Sequence, residues 1–96
     1  MIERTLLIKG QLGLHARAAS KLVRLASGFE SEVLLSHAGS EVTADAKSIL
    51  SVLMLAAGRG TELQVRAEGV DEEAAMAAVE QLFAAGLGEV ESESSL

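Results

Sequence analysis

The feature that most restricts the fold is that strand-like segments with one apolar face alternate with segments of helical period. Leu63, Val65 and Ala67 alternate with Gln64 and Arg66, the period of two that half-buries a strand. Ile2, Leu6 and Ile8 share one face of a first strand over residues 2–8, and Val33 and Leu35 lie in a second. Ala38-Gly39-Ser40 makes a turn, and Val42 and Ala44 sit in a short third strand, so strands two and three form a hairpin. Ala16, Ala19, Leu22, Val23 and Ala26 recur at helical spacing over residues 16–27, and Gly28 stops that helix. A short second helix starts near Ser48, buries Ile49, Leu50, Val52 and Leu53, and ends before Gly58-Arg59-Gly60. Asp71 caps a third helix, with Glu72 and Glu73 in its first turn and Ala75, Val79, Leu82 and Phe83 facing inward. One-faced strands need a single layer of helices. The order βαββαβα therefore predicts an α+β open-faced sandwich: a four-stranded antiparallel sheet with three helices on one face.

A chain of 96 residues makes one domain with a modest core. That domain is expected over residues 1–88, and residues 89–96, acidic and serine-rich, read as a disordered tail. Met54 and Met76 read as core filling. With no cysteine the chain forms no disulfide and has no thiol chemistry. No apolar run reaches the length of a membrane span and no leader is evident at Met1-Ile2-Glu3-Arg4, so a cytoplasmic protein without membrane insertion is expected.

The net charge of −6 is unevenly spread. No acid occurs between Arg4 and Phe29, yet five of the eight basic residues do: Arg4, Lys9, Arg17, Lys21 and Arg24. Arg17, Lys21 and Arg24 are spaced to share one face of the first helix. A basic stripe on an acidic protein suits docking to acidic partner surfaces, although a merely solvated helix face has the same pattern.

At one end of that stripe lies Gly13-Leu14-His15-Ala16-Arg17, where a loop becomes a helix. His15 sits where free backbone N–H groups and the positive end of the helix dipole favour an anion. That is a suitable place for a histidine that accepts a phosphoryl group. Arg17 adds a planar, permanently charged fork for phosphate oxygens. A lone histidine at a helix start is by itself an ordinary capping or surface residue. His37, beside a turn and with no ligand-spaced partner, reads as a surface residue rather than a metal or catalytic group.

The pentapeptide resembles the active-site motif of HPr, the histidine phosphocarrier of the bacterial phosphoenolpyruvate:sugar phosphotransferase system. Gly28-Phe29-Glu30-Ser31-Glu32-Val33, Ala46-Lys47-Ser48-Ile49-Leu50-Ser51-Val52-Leu53, Gly60-Thr61-Glu62-Leu63 and Ala67-Glu68-Gly69-Val70-Asp71-Glu72-Glu73-Ala74 extend the likeness over residues 1–88. The stretch Ala78 to Gly86, with Glu32-Val33-Leu34-Leu35, is closest to the nitrogen-related branch, NPr. One departure is Ala18, where the family usually has proline; alanine keeps an N–H in the first helical turn. The resemblance implies that phospho-Enzyme I passes a phosphoryl group to Nδ1 of His15, that Arg17 stabilises it, and that an EIIA domain takes it away. It also implies a monomer with no cofactor of its own, magnesium belonging to the donor enzyme. Leu14, Ala18, Lys21, Arg24, Leu50 and Leu53 are the expected partner contacts.

Ser48 carries two readings. Serine is among the best N-cap residues. The match of Lys47-Ser48-Ile49 to the family also implies a regulatory site for HPr kinase/phosphorylase, where a phosphate at the helix start adds repulsive charge. A regulatory HPr- or NPr-like binding protein that acts on nitrogen or carbon metabolism without sugar uptake is the alternative function. An enzyme with His15 as acid or base would need a second titratable group nearby, which the acid-free segment lacks. A nucleic-acid module is disfavoured by the negative charge and the scarcity of aromatics.

Overall fold

The computed structural model describes residues 1–88; the expected tail, 89–96, lies outside the described residues. The elements run β1 (Ile2–Leu7), α1 (Ala16–Ser27), β2 (Glu32–His37), β3 (Ala44–Asp45), α2 (Ile49–Met54), β4 (Glu62–Glu68) and α3 (Glu72–Ala84). One antiparallel sheet holds the strands in the order β1-β4-β2-β3.

The central strand β4 sets the two faces. Its residues alternate strictly between exposed and buried, with Leu63, Val65 and Ala67 inward. The register puts Leu6 opposite Leu63 on one side, and Leu35 opposite Val65 and Val33 opposite Ala67 on the other. A one-residue slip would turn that whole apolar set to solvent, so the pattern itself fixes the pairing. Against this face pack Ala19, Leu22 and Ala26 of α1, Val52 of α2, and Ala75, Met76, Val79 and Phe83 of α3. The helices thus form one layer over one face, as the strand pattern requires.

Several details depart from the sequence reading. β1 ends at Leu7; Ile8 is fully buried, but its backbone bonds to the 60–61 turn, donating to the Thr61 carbonyl and accepting from the Gly60 N–H. β3 is only two residues long, and Val42 is a 73% exposed loop residue outside it. The helix α2 buries only Val52 fully; Ile49 and Leu50 are exposed, as is Met54, which does not fill the core. Met76 does.

Asp71 stands at the N-cap position of α3 but makes no side-chain cap bond. Its carboxylate instead accepts the Ser31 hydroxyl, the Glu30 N–H at 2.9 Å and the Ser31 N–H at 2.8 Å. These donors, the Ser31 hydroxyl foremost, hold the Asp71 carboxyl below its usual pKa. Ser31 is fully buried, so a partner for its hydroxyl outweighs a solvent-accessible helix end. Glu72 closes the turn instead, its Oε1 accepting the Gly69 N–H at 3.1 Å.

Candidate functional site

The site begins with backbone contacts in the loop after β1. Gly13 has φ +64, and a Cβ there would meet the Ala57 carbonyl oxygen at 2.6 Å and Gly58 Cα at 2.7 Å. Only glycine allows both that conformation and that approach. Next to it, the Leu14 N–H donates to the Ala57 oxygen at 2.9 Å, and the Leu14 side chain enters the core. The segment after α2 therefore serves as the seat on which the loop rests.

From this seat the chain enters α1 through His15, the N-cap, with extended backbone (φ −75, ψ 178). The His15 carbonyl accepts the Ala19 N–H at 2.8 Å. Its Nδ1 accepts the Arg17 N–H at 3.3 Å, which assigns Nδ1 as the unprotonated ring nitrogen. That bond is long, so little is lost when Nδ1 turns its lone pair to another atom. The first turn of α1 contains no acid that could use the dipole in place of a ligand.

A pocket of about 300 Å³ opens here, lined by His15, Arg17, Ala18, Gln11, Leu12, Leu87 and Gly88. Leu12 is 68% exposed at its mouth, and Arg17 is exposed beside His15. Chemically, this is a nucleophilic ring nitrogen at an open pocket, with a helix N-terminus and a guanidinium placed for an anion.

The other residues named from sequence fall into three groups. Leu14 and Ala18 are 5% and 1% exposed; Leu14 enters the core beneath the site, and Ala18 is part of the lining of the His15 pocket. Arg24 is exposed in the last turn of α1, whereas Lys21 is half-buried, its Nζ donating to the Gly88 carbonyl at 3.0 Å. On α2, which packs against α1, Leu50 is 66% exposed and Leu53 is half-buried. Ser48 caps α2, its Oγ accepting the Ser51 N–H at 3.4 Å, while Lys47 Nζ donates to the Phe29 carbonyl at 2.8 Å.

His37 is half-buried rather than a simple surface residue, its Nε2 lying 2.8 Å from the Leu55 carbonyl oxygen. It ties the end of β2 to the end of α2, just ahead of the seat for Gly13. Among the described residues no cluster of acids and histidines could hold a metal, and no helix is long and apolar enough to cross a membrane. Sequence reasoning missed Ala57, Gly58, Leu87 and Gly88. They reach the site only through tertiary packing; the one available signal was the pair of glycines flanking Leu87.

Comparison with known proteins agrees with this geometry. Residues 2–85 match the family model described as the PTS HPr component phosphorylation site. The chain is 49% identical over 83 residues to a phosphocarrier protein HPr of Xylella fastidiosa (strain 9a5c), covering 86% of this chain and 91% of that protein. It is 44% identical over 89 residues to the phosphocarrier protein NPr of Escherichia coli (strain K12), covering 92% and 97%. The solved structure of HPr-C-His from Thermoanaerobacter tengcongensis superimposes with a TM-score of 0.86 at 37% identity, covering 93% of this chain and 98% of that one.

Proposed function

The chain belongs to the HPr family of phosphocarriers of the phosphotransferase system, and from that premise we propose that His15 is its phosphoacceptor. The observation that carries this reading is the His15 ring at the start of α1, with Nδ1 accepting the Arg17 N–H over a long bond and the ring sharing its pocket with Arg17.

In the proposed cycle, phospho-Enzyme I brings its phosphoryl group into line with Nδ1. The Nδ1–P bond forms as the bond to the donor breaks, with no change in the net number of phosphoryl groups. The Arg17 N–H, released from Nδ1, turns to a phosphoryl oxygen, and the guanidinium takes others. Stabilisation at a helix end is only about 0.3–2 kcal/mol. That is enough to orient the group and weak enough to let it leave for an EIIA-type acceptor.

Docking is assigned to Arg24 and the exposed part of Lys21 on α1, with Leu50 and Leu53 on α2. Exposed apolar residues beside a charged site suit a partner that buries them and pairs with the cations. Ser48 is read as both the cap of α2 and a regulatory phosphoacceptor for HPr kinase/phosphorylase. The carrier acts as a monomer in the cytoplasm and serves sugar uptake, nitrogen-related regulation, or both. The test is incubation with Enzyme I and phosphoenolpyruvate. Acid-labile label should appear on the protein, vanish in His15→Ala and persist in His37→Ala. Undiminished label in His15→Ala would refute the assignment.

A further inference from the structure

The end of α3 closes in a glycine-terminated turn that runs on through two further left-handed residues. The Ala85 N–H bonds to the Gln81 carbonyl at 3.0 Å, Gly86 N–H to Phe83 at 3.0 Å and Leu87 N–H to Leu82 at 2.8 Å, which gives partners to the carbonyls of Gln81, Leu82 and Phe83 in the last turn of the helix. Gly86, Leu87 and Gly88 have φ 71, 59 and 76. Three consecutive left-handed residues reverse the chain, and the middle one is not glycine. A leucine takes that conformation at a cost. Here its side chain is 1% exposed and belongs to the core, which holds it in place. The hook carries Gly88 to α1, where its carbonyl receives the Lys21 ammonium at 3.0 Å. Leu87 and Gly88 thereby become part of the lining of the His15 pocket. A purely terminating turn often buries an apolar residue after its glycine, but it needs neither a left-handed leucine there nor a tie to α1.

We propose that Gly86-Leu87-Gly88 is a positioning element that sets the lifetime of a phosphoryl group on His15. This rests on the reading of His15 as phosphoacceptor. Leu87 touches no reacting atom; it anchors the wall of the pocket from inside, and Gly88 holds the Lys21 ammonium along that wall. The competing reaction is hydrolysis. A water oxygen bonds to phosphorus, the P–Nδ1 bond breaks with its electron pair returning to the ring, and one water proton passes to the imidazole, giving histidine and hydrogen phosphate. A fixed wall keeps water off the ring, so the proton that the leaving imidazole needs is delivered slowly, while the in-line path through the exposed mouth at Leu12 and Arg17 stays open to a protein partner's nucleophile.

The experiment uses the full chain, phosphorylated with Enzyme I and phosphoenolpyruvate, freed of Enzyme I, and followed at neutral pH where circular dichroism shows each variant folded. Leu87→Ala should lose its phosphoryl group about fivefold faster than the parent, equivalent to about 1 kcal/mol on the barrier. Leu87→Met, which refills the core, should return to within about twofold. Gly88→Ala should also shorten the lifetime, because its Cβ would lie 2.6 Å from Lys21 Nζ and displace it. Since Leu87→Ala could fail to fold, Gly88→Ala gives an independent reading. A parental lifetime in either folded variant overturns the proposal. Absence of label on His15 in the parent would instead overturn the reading on which it rests.

Discussion

Replacing Gly13 with alanine should damage stability and transfer together, because the same contact supports both. At φ +64 an alanine costs about 1 kcal/mol more than glycine. Its Cβ would also sit 2.6 Å from the Ala57 oxygen and 2.7 Å from Gly58 Cα. Relief requires the loop to retreat by roughly 1 Å, since carbon contacts are comfortable only beyond about 3.5 Å. That retreat takes the Leu14 N–H to Ala57 bond, now 2.9 Å, out of hydrogen-bond range. Losing it adds about 1–3 kcal/mol if the groups stay buried. The expected total is about 2–4 kcal/mol, within what a domain with about 5–15 kcal/mol of stability survives. His15 follows Leu14 directly and moves with it, so transfer from phospho-Enzyme I should fall by up to about a hundredfold, as small misplacements do. Gly39→Ala is the control: its φ is +84, but nothing lies within 4 Å of an added Cβ. It should cost only the conformational part, about 1 kcal/mol, and leave transfer unchanged. Urea denaturation and rapid-quench transfer measure the two quantities. Equal effects of the two substitutions on both would refute the seating of the loop on residues 57–58.

Arg17→Ala should slow transfer at saturating Enzyme I, whereas Arg24→Glu should weaken association in a salt-sensitive way; identical, salt-insensitive defects would remove that division of roles. Ser48→Ala should cost about 1 kcal/mol through the lost cap yet transfer nearly normally. Ser48→Asp should keep the cap and slow transfer by repulsion, and parental rates in it would leave Ser48 a cap alone. Asp71 titrates below the ordinary aspartate value of 3.8 because the folded state stabilises its charged form. Its contribution to stability is therefore present above the unfolded pKa and is lost as pH falls below about 4 through the lower folded value. Asp71→Asn should flatten that acid limb of a pH series of urea melts; an unchanged limb would contradict the Asp71–Ser31 link.

The parts of the fold that a local pattern determines were legible in the sequence. β4 could be read residue by residue, because alternation and burial are the same information in a one-faced strand. His15 and Arg17 could be placed at a helix start for the same reason: capping is decided within a few residues. Where two local roles competed, long-range partners settled the result. Asp71 had every local reason to cap α3, but Ser31, buried forty residues away, claimed its carboxylate. The apolar run of α2 suggested a buried helix, since nothing local distinguishes core from docking surface; only packing shows Ile49, Leu50 and Met54 uncovered. Leu14 and Ala18 show the converse: adjacency to His15 in the chain gives no sign that both side chains are almost fully buried. Leu87 and Gly88 enter the pocket over a separation of some seventy residues, which no spacing rule reaches.

The most direct test is to locate the phosphoryl group on the ring. Protein labelled with nitrogen-15 at histidine, phosphorylated by Enzyme I and phosphoenolpyruvate, would be examined by nitrogen and phosphorus NMR. The bond from the Arg17 N–H identifies Nδ1 as the unprotonated nitrogen, so phosphorus should couple to Nδ1 of His15 and to no other nitrogen. Coupling to Nε2 of His15, or to either nitrogen of His37, would contradict it.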